Sequence, residues 1–317
     1  MFRWLASMSL VSLCCLSFVA EPASACSVCL AGDPLYSSQG ATASEAGSFS
    51  LYLESRGFTK RSASLEDPDD SEETHSYRLD LYASWTPVDR LSFTLDTPFV
   101  WNRIIGTVGG EHERSSLTGV GDVSLATSLV VWRDRPVLPS RWVEARVWVK
   151  APTGPNEQKV DGERDPHIQP GTGSWDAGLG LAGVQRFERG SVYASVFRRW
   201  NTEGSLDYQY GNVWLATLGT DAPLGHLFGS PALDVVTPGL SLDFRYAGKD
   251  EQDGQRYDDS GGSILYATPS LRMRLPFGVT ESKASLRVAV QLPLTQSGLH
   301  GEQHEKPVWS VGVLLPF

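Results

Sequence analysis

The feature that most constrains this chain is a period of two. In residues 75–85, Tyr77, Leu79, Leu81, Ala83 and Trp85 alternate with Ser76, Arg78, Asp80, Tyr82 and Ser84. In residues 143–151, Val143, Ala145, Val147 and Val149 alternate with Glu144, Arg146 and Lys150. Leu240, Leu242, Phe244 and Tyr246 interleave with Ser241, Asp243 and Arg245, and Leu286, Val288, Val290 and Leu292 with Ser285, Arg287, Ala289 and Gln291. A strand puts such sets on opposite faces, whereas a helix would scatter the charges round its whole cylinder. About twelve runs predict strands, near 45–57, 74–86, 91–104, 119–132, 141–152, 172–187, 191–201, 209–221, 233–247, 262–275, 284–296 and 307–317. Most have ten to sixteen residues. Strands of soluble domains average about 5–6 residues, whereas a tilted strand crossing a bilayer needs about 9–11.

The connections alternate long and short. Long ones fall near 58–73, 105–118, 153–171, 202–208, 248–261 and 297–306, and are rich in Asp, Glu, Gly and Ser. Most of the others are tight, such as Pro87-Val88-Asp89-Arg90 and Glu188-Arg189-Gly190. Membrane β-barrels carry short periplasmic turns and longer external loops. The expectation is an all-β fold, an antiparallel transmembrane β-barrel of about twelve strands with periplasmic termini. A mean hydropathy of −0.20 fits, because a lipid face and a water face average out along each strand. Trp85, Trp101, Trp132, Trp142, Trp175, Trp200 and Trp309 lie at or near strand ends, where the two aromatic girdles of such a barrel belong. The closing alternation Trp309, Val311, Val313, Leu315, Phe317 has the form of the signal that outer-membrane barrels present to their assembly machinery.

Residues 1–25 read as an export signal: Arg3, an apolar stretch over 5–20, and Ala23-Ser24-Ala25 as a cleavage site. Residues 26–44 then form an N-terminal periplasmic segment, and residues 45–317 the barrel. Cys26 and Cys29 stand in a C-x-x-C spacing. A disulfide is the plainer reading in an oxidising compartment. Haem attachment would need His where Leu30 stands.

If the apolar faces meet lipid, the charged partners point inward: Arg78, Asp80, Asp96, Glu144, Arg146, Lys150, Asp243, Arg245, Arg272, Arg274 and Arg287. Seven are basic and four acidic. Two readings carry equal weight. One is a polar conduit with a mild preference for anionic solutes; the other is an internal arginine–carboxylate network that fills the barrel and holds its shape. The net charge of −10 then resides in the external loops, among them Glu66, Asp67, Asp69, Asp70, Glu72 and Glu73, and Asp250, Glu251, Asp253, Asp258 and Asp259. Solvated loops are the simple account of that charge. Acidic balance speaks against nucleic acid as a partner.

Catalytic patterns are weak. His300 and His304 are four apart, but in an expected loop rather than on a helix, and His112 is near Ser115 and Ser116 only in sequence. No enzyme activity, cofactor or metal site is expected.

Thr118-Gly119-Val120-Gly121-Asp122-Val123, Lys150-Ala151-Pro152-Thr153-Gly154 and Gln169-Pro170-Gly171-Thr172-Gly173-Ser174-Trp175-Asp176 resemble repeated elements of the outer-membrane transporter family associated with the meta-cleavage pathway of phenol degradation. The resemblance spans about 45–317 and implies a barrel that transports small, often hydrophobic or aromatic compounds. The expected partners are therefore outer-membrane lipid, the assembly machinery and a small solute. The alternative is a non-conducting scaffold that docks a periplasmic or redox partner through the C-x-x-C segment, and a secreted soluble β-protein is the third reading.

Overall fold

The computed structural model describes residues 46–63, 71–108, 111–160, 162, 164–257, 260–278, 284–297 and 304–317. The expected signal, the segment 26–44 and both Cys26 and Cys29 lie outside the described residues. In chain order the strands are β1 (Phe49–Ala63), β2 (Ser71–Val88), β3 (Leu91–Val108), β4 (Glu111–Val120), β5 (Ser124–Arg133), β6 (Arg141–Lys150), β7 (Asp176–Phe187) and β8 (Gly190–Trp200). There follow β9 (Tyr208–Gln209), β10 (Val213–Asp221), β11 (Val236–Ala247), β12 (Glu251–Gln252), β13 (Gln255–Arg256), β14 (Gly262–Arg274), β15 (Ser285–Ser297), β16 (His304–Glu305) and β17 (Val308–Pro316). One short helix, α1 (Leu224–Phe228), lies between β10 and β11.

Every wall strand pairs antiparallel with its neighbours in sequence, and β1 pairs with both β2 and β17. Leu53, for example, faces Leu81 on one side and Val313 on the other. The sheet is thereby closed into a barrel of twelve strands, with β4 and β5 counted as one because both pair with β3. Closure removes the unpaired edges that would be costly in hydrocarbon.

The two faces separate as the alternation predicts. Leu53, Leu81, Leu95, Leu125, Val147, Leu181, Leu218 and Leu242 are all exposed on the outside. Glu54, Asp80, Arg146, Asp243 and Arg245 are buried inside. An apolar belt this continuous is an aggregation liability in water, but it matches the bilayer core. The chain is an outer-membrane barrel. At the end that carries the termini and short turns, Trp85 stacks on Phe93 at 6.3 Å and Phe49 meets Phe317 at 5.6 Å. Toward the other end, Phe99 meets Trp101 at 4.4 Å and Tyr77 meets Trp309 at 6.4 Å. Trp142 departs from the expected girdle: it is inward and 3% exposed.

Three expectations about connections are corrected. Much of 58–73 and of 105–118 is strand, since β1 runs to Ala63, β2 starts at Ser71, β3 runs to Val108 and β4 starts at Glu111. Above the bilayer both faces of a hairpin are wet, so its sequence loses apolar alternation while its backbone ladder continues. Glu72 and Glu73 accordingly sit on β2 rather than in a loop. The run 119–132 is interrupted at Gly121-Asp122-Val123. Among the acids assigned to solvated loops, Asp250 is 0% exposed.

Candidate functional site: the inner wall and the inward loop

The inner wall is built by the alternate residues that the outer apolar set leaves over. On β1 these are Tyr52, Glu54, Arg56 and Lys60, all buried. Arg56 reaches Asp80 on β2 at 2.8 Å, and Arg78 reaches the other oxygen of Asp80 at 2.8 Å. Arg56 also donates to the Tyr82 hydroxyl at 2.9 Å and lies 3.3 Å from Glu54, whose other oxygen is 3.7 Å from Arg287 on β15. One fully buried aspartate thus holds two guanidinium groups, and a glutamate ties β1 to β15 across β17.

A second cluster faces it from β10, β11 and β14. Asp243 accepts hydrogen bonds from Thr217 (2.8 Å), Ser241 (2.9 Å) and Thr268 (2.5 Å). Arg245 pairs at 2.8 Å with Glu305, which also accepts from the Tyr266 hydroxyl. Glu305 lies on β16, which hydrogen-bonds to the outer end of β1. Arg146 pairs with Glu144 at 3.0 Å, and Arg272 with Asp221 at 2.8 Å. Arg274 donates to the Asp234 backbone carbonyl at 3.1 Å. Asp96 accepts from Ser124 at 3.5 Å.

The inward charges are more numerous than the alternation predicts, and of both signs, since Arg56 and Lys60 on β1 are buried as well. Glu54, Asp122, Asp176, Asp221 and Glu305 supply carboxylates that strand parity alone missed. Asp122, Asp176, Asp221 and Glu305 sit at strand ends or in breaks, where no alternation flags them. The first strand also mixes Gly57 and Phe58 into its pattern, which hid Glu54 and Arg56.

The segment between β6 and β7, residues 151–175, is the second part of the site. Asp122, in the break between β4 and β5, is its anchor. Its carboxylate accepts from the Gly154 amide (3.0 Å), the Thr172 amide (2.8 Å) and the Thr172 hydroxyl (2.8 Å), and lies 3.1 Å from Lys150 Nζ. Lys150 also meets Asp176 at 2.6 Å. Gly154 and Gly171 pass so closely that a Cβ on Gly171 would sit 2.5 Å from the Gly154 carbonyl oxygen. The three Gly-rich stretches singled out in the sequence thus converge on one knot.

From this knot the chain crosses the barrel interior. Asn102 on β3 donates to the carbonyls of Ile168 (3.1 Å) and Gln169 (3.4 Å). On the other side, the Tyr210 hydroxyl donates to the Pro166 carbonyl at 2.9 Å, and His167 Nε2 lies 2.9 Å from the Tyr208 hydroxyl. Tyr208 and Tyr210 precede β10, five places round the wall from β3. Ile168 is 1% exposed.

His167 is doubly held. Its Nδ1 is 3.0 Å from Asp165, and the Tyr208 hydroxyl donates onward to Asp250 at 2.6 Å. With the tyrosine proton committed to Asp250, Nε2 must donate to Tyr208, and Nδ1 donates to Asp165. The geometry fits the imidazolium form. Burial alone would lower its pKa; the hydrogen bond and charge of Asp165, with Asp250 and Glu72 further away, outweigh burial and raise it. Burial opposes ionisation of Asp165, but its bonds to His167 lower its pKa.

Aromatic groups cover one side of the inner wall. Trp148 on β6 and Phe197 on β8 meet edge to face at 6.2 Å across β7, whose Gly178 and Gly180 leave room for the Phe197 ring. Arg186 lies over Trp142 at 5.1 Å. At the short-turn end the interior widens into a cavity of about 450 Å³ bordered by Arg186, Asp221, Arg272, Arg274 and Leu314. Among the described residues no cluster of His, Cys, Asp or Glu is arranged to hold a metal ion.

The family described as "Putative MetA-pathway of phenol degradation" matches residues 66–292. No curated protein matches the sequence. Among solved structures, an outer membrane channel from Pseudomonas putida F1 superposes with a TM-score of 0.63 at 16% identity, covering 88% of this chain and 98% of that one. A Pseudomonas aeruginosa FadL homologue gives a TM-score of 0.45 at 10% identity, with 85% and 90% covered. A KdgM porin in complex with oligogalacturonate gives 0.42 at 12%, with 85% and 99% covered. The first of these likenesses supports the barrel architecture; the other two are weaker.

Proposed function

Since the chain belongs to this phenol-degradation MetA-pathway family, we propose that it is an outer-membrane channel for small organic solutes that carry an aromatic ring. The observation that carries the reading is the aromatic face of the inner wall. Barrels that pass hydrophilic solutes have polar interiors. Here Trp148 and Phe197 face inward across β7, and the charges on β1 and β2 opposite are engaged in pairs such as Arg56–Asp80 and Arg78–Asp80. A ring entering such an interior gains apolar and edge-to-face contacts without breaking a charge pair. Arg78, Asp80, Asp96, Glu144, Arg146, Lys150, Asp243, Arg245 and Arg287 act in this reading as lumen-lining groups that hold the wall's shape.

The test is uptake of labelled phenol and of labelled glycerol by proteoliposomes. Phenol should enter faster than through lipid alone, and Phe197→Ala should reduce that excess while glycerol changes little. Equal protein-dependent rates for both solutes, unaffected by the substitution, would overturn the aromatic reading.

The inward loop supports a rival, a barrel that conducts nothing and docks a periplasmic or redox partner through residues 26–44. Absence of both uptake and conductance would favour it, and Cys26→Ser with Cys29→Ser should then disable the docking.

A further inference from the structure

On β8 the outer face carries a charge where the alternation calls for an apolar residue. Val192, Ala194 and Val196 are exposed to lipid, and the next residue of the same parity is Arg198. Its partners across the ladder are Leu179 on β7 and Trp214 on β10, and Trp214 in turn faces Tyr246 on β11. These three partners are exposed on the outside of the wall. One step outward, Trp200 ends β8. One step toward the bilayer centre the row reads Leu181, Val196, Ala216 and Phe244. Arg198 therefore stands in the external aromatic girdle, where the apolar belt meets the headgroups.

Its guanidinium is held in place but not neutralised. It lies over the Trp200 ring at 4.9 Å and over the Trp214 ring at 5.0 Å. Indole faces attract a cation through their quadrupole, yet they carry no net charge and offer no oxygen to its in-plane N–H groups. Among the described residues Arg198 has neither an ion pair nor a side-chain hydrogen bond, and its Nε is shielded from solvent without a partner. The inward arginines differ: Arg56, Arg78 and Arg245 each meet a carboxylate at 2.8 Å. An arginine on the lipid face is tolerated near the interface rather than at the bilayer centre, and there the groups within its reach belong to lipid. Phosphate suits the guanidinium fork, which binds it with two parallel hydrogen bonds. A free inorganic ion would meet Arg198 and leave Leu181, Val196 and Phe244 unmatched, whereas a lipid supplies both parts.

We propose that Arg198, Trp200 and Trp214 form a binding site for the headgroup phosphate of a lipid in the external leaflet. The guanidinium takes two phosphate oxygens, the indoles fix its position, and the acyl chains run down the face of Leu181, Val196 and Phe244. The site lies outside the lumen, so it holds whether or not the barrel conducts.

The experiment is native mass spectrometry of the purified full-length protein in uncharged detergent, titrated with lipid A, with the same glycolipid stripped of its phosphates, and with lipid A in the presence of inorganic phosphate. Lipid A should bind about tenfold more tightly than the stripped form, and equimolar inorganic phosphate should not displace it. Arg198→Gln should bring the two lipids to within about twofold of one another. Arg198→Lys, which keeps the charge and loses the fork, should fall between, and Trp214→Ala should weaken lipid A several-fold. Arg103→Gln, an exposed cation on β3, should change nothing. Heat-modifiable migration on gels confirms that each variant is folded; if Arg198→Gln is not, Arg198→Lys and Trp214→Ala carry the test. Equal affinity for the two lipids, indifference to the Arg198 substitutions, an equal loss with Arg103→Gln, displacement by inorganic phosphate, or a dimer of barrels that Arg198→Gln dissolves would each overturn the proposal.

Discussion

Arg245 and Glu305, sixty residues apart in sequence, form a 2.8 Å ion pair in which both side chains are almost completely buried. The pair fastens the external β16 segment to the outer end of β11, two residues from Ala247. Removing one member of a buried pair leaves an uncompensated charge, which costs about 3–5 kcal/mol. Glu305→Ala should therefore lower the urea midpoint of the folded barrel, read by heat-modifiable electrophoresis. Arg245→Met on that background should recover part of the loss. Additive losses in the double variant would show that the two residues act separately.

Asp122 should control the inward loop. Its carboxylate holds two backbone amides, a hydroxyl and Lys150, and hydrogen bonds to charged groups contribute about 1.5–3 kcal/mol each. Asp122→Ala should release residues 151–175 from the interior and raise unit conductance in planar bilayers. In parallel, Ile168→Cys, buried in the parent, should react with an impermeant maleimide many times faster on the Asp122→Ala background. Gly171→Ala, whose methyl group would crowd the Gly154 carbonyl, should have the same effect, and the two substitutions together should add little.

Loop retention should depend on pH through His167. Its pKa is raised in the folded loop, so its contribution is fully present below the ordinary value of about 6.5 and is lost as pH rises through the raised value. Asp165 is shifted downward, so its contribution is present above the ordinary carboxylate value and is lost only as pH falls through its lowered one. The loop should be held most firmly in mildly acid solution and loosen on the alkaline side. Maleimide labelling of Ile168→Cys should accelerate there, and His167→Gln should flatten the profile. A labelling rate that rises toward acid pH instead would contradict the imidazolium assignment.

Asp80→Asn should shift ion preference. Asp80 balances both Arg56 and Arg78 at 2.8 Å. Without it the mid-wall gains a net positive charge, and the reversal potential in a salt gradient should move toward that of chloride. An unchanged potential would place Asp80 away from the ion path.

Much of this architecture was legible in the sequence. Lipid on one side and polar groups on the other impose a strict period of two, so Leu79 and Asp80, or Phe244 and Arg245, announce their faces without any tertiary information. The Gly-rich stretches around Gly121, Gly154 and Gly171 were visible too, but their convergence was not, because 121, 154 and 171 meet only after β5 and β6 have been laid side by side. The partners Glu54, Asp221 and Glu305 were missed for a related reason. Burial of a carboxylate, at a strand end as for Asp221 and Glu305 or within an irregular strand as for Glu54, is decided by an arginine on another strand, and no local pattern records that. Asp250 read as a solvated acid because its neighbours Lys249 and Glu251 are polar, whereas Tyr208 and the Gly211 amide enclose it from another loop.

The seam between β1 and β17 sets the order of events during assembly. Leu53 and Val313 are partners at opposite ends of the chain, so this ladder has the highest contact order in the molecule, and loop closure of that length is slow. The seam therefore forms only after the last strand has crossed the inner membrane. Until then Glu54 and Arg287 are without one another, and their charges must stay hydrated. Completion of the ionic wall and sealing of the barrel are in this sense one step, which makes the C-terminal strand the timing element of closure.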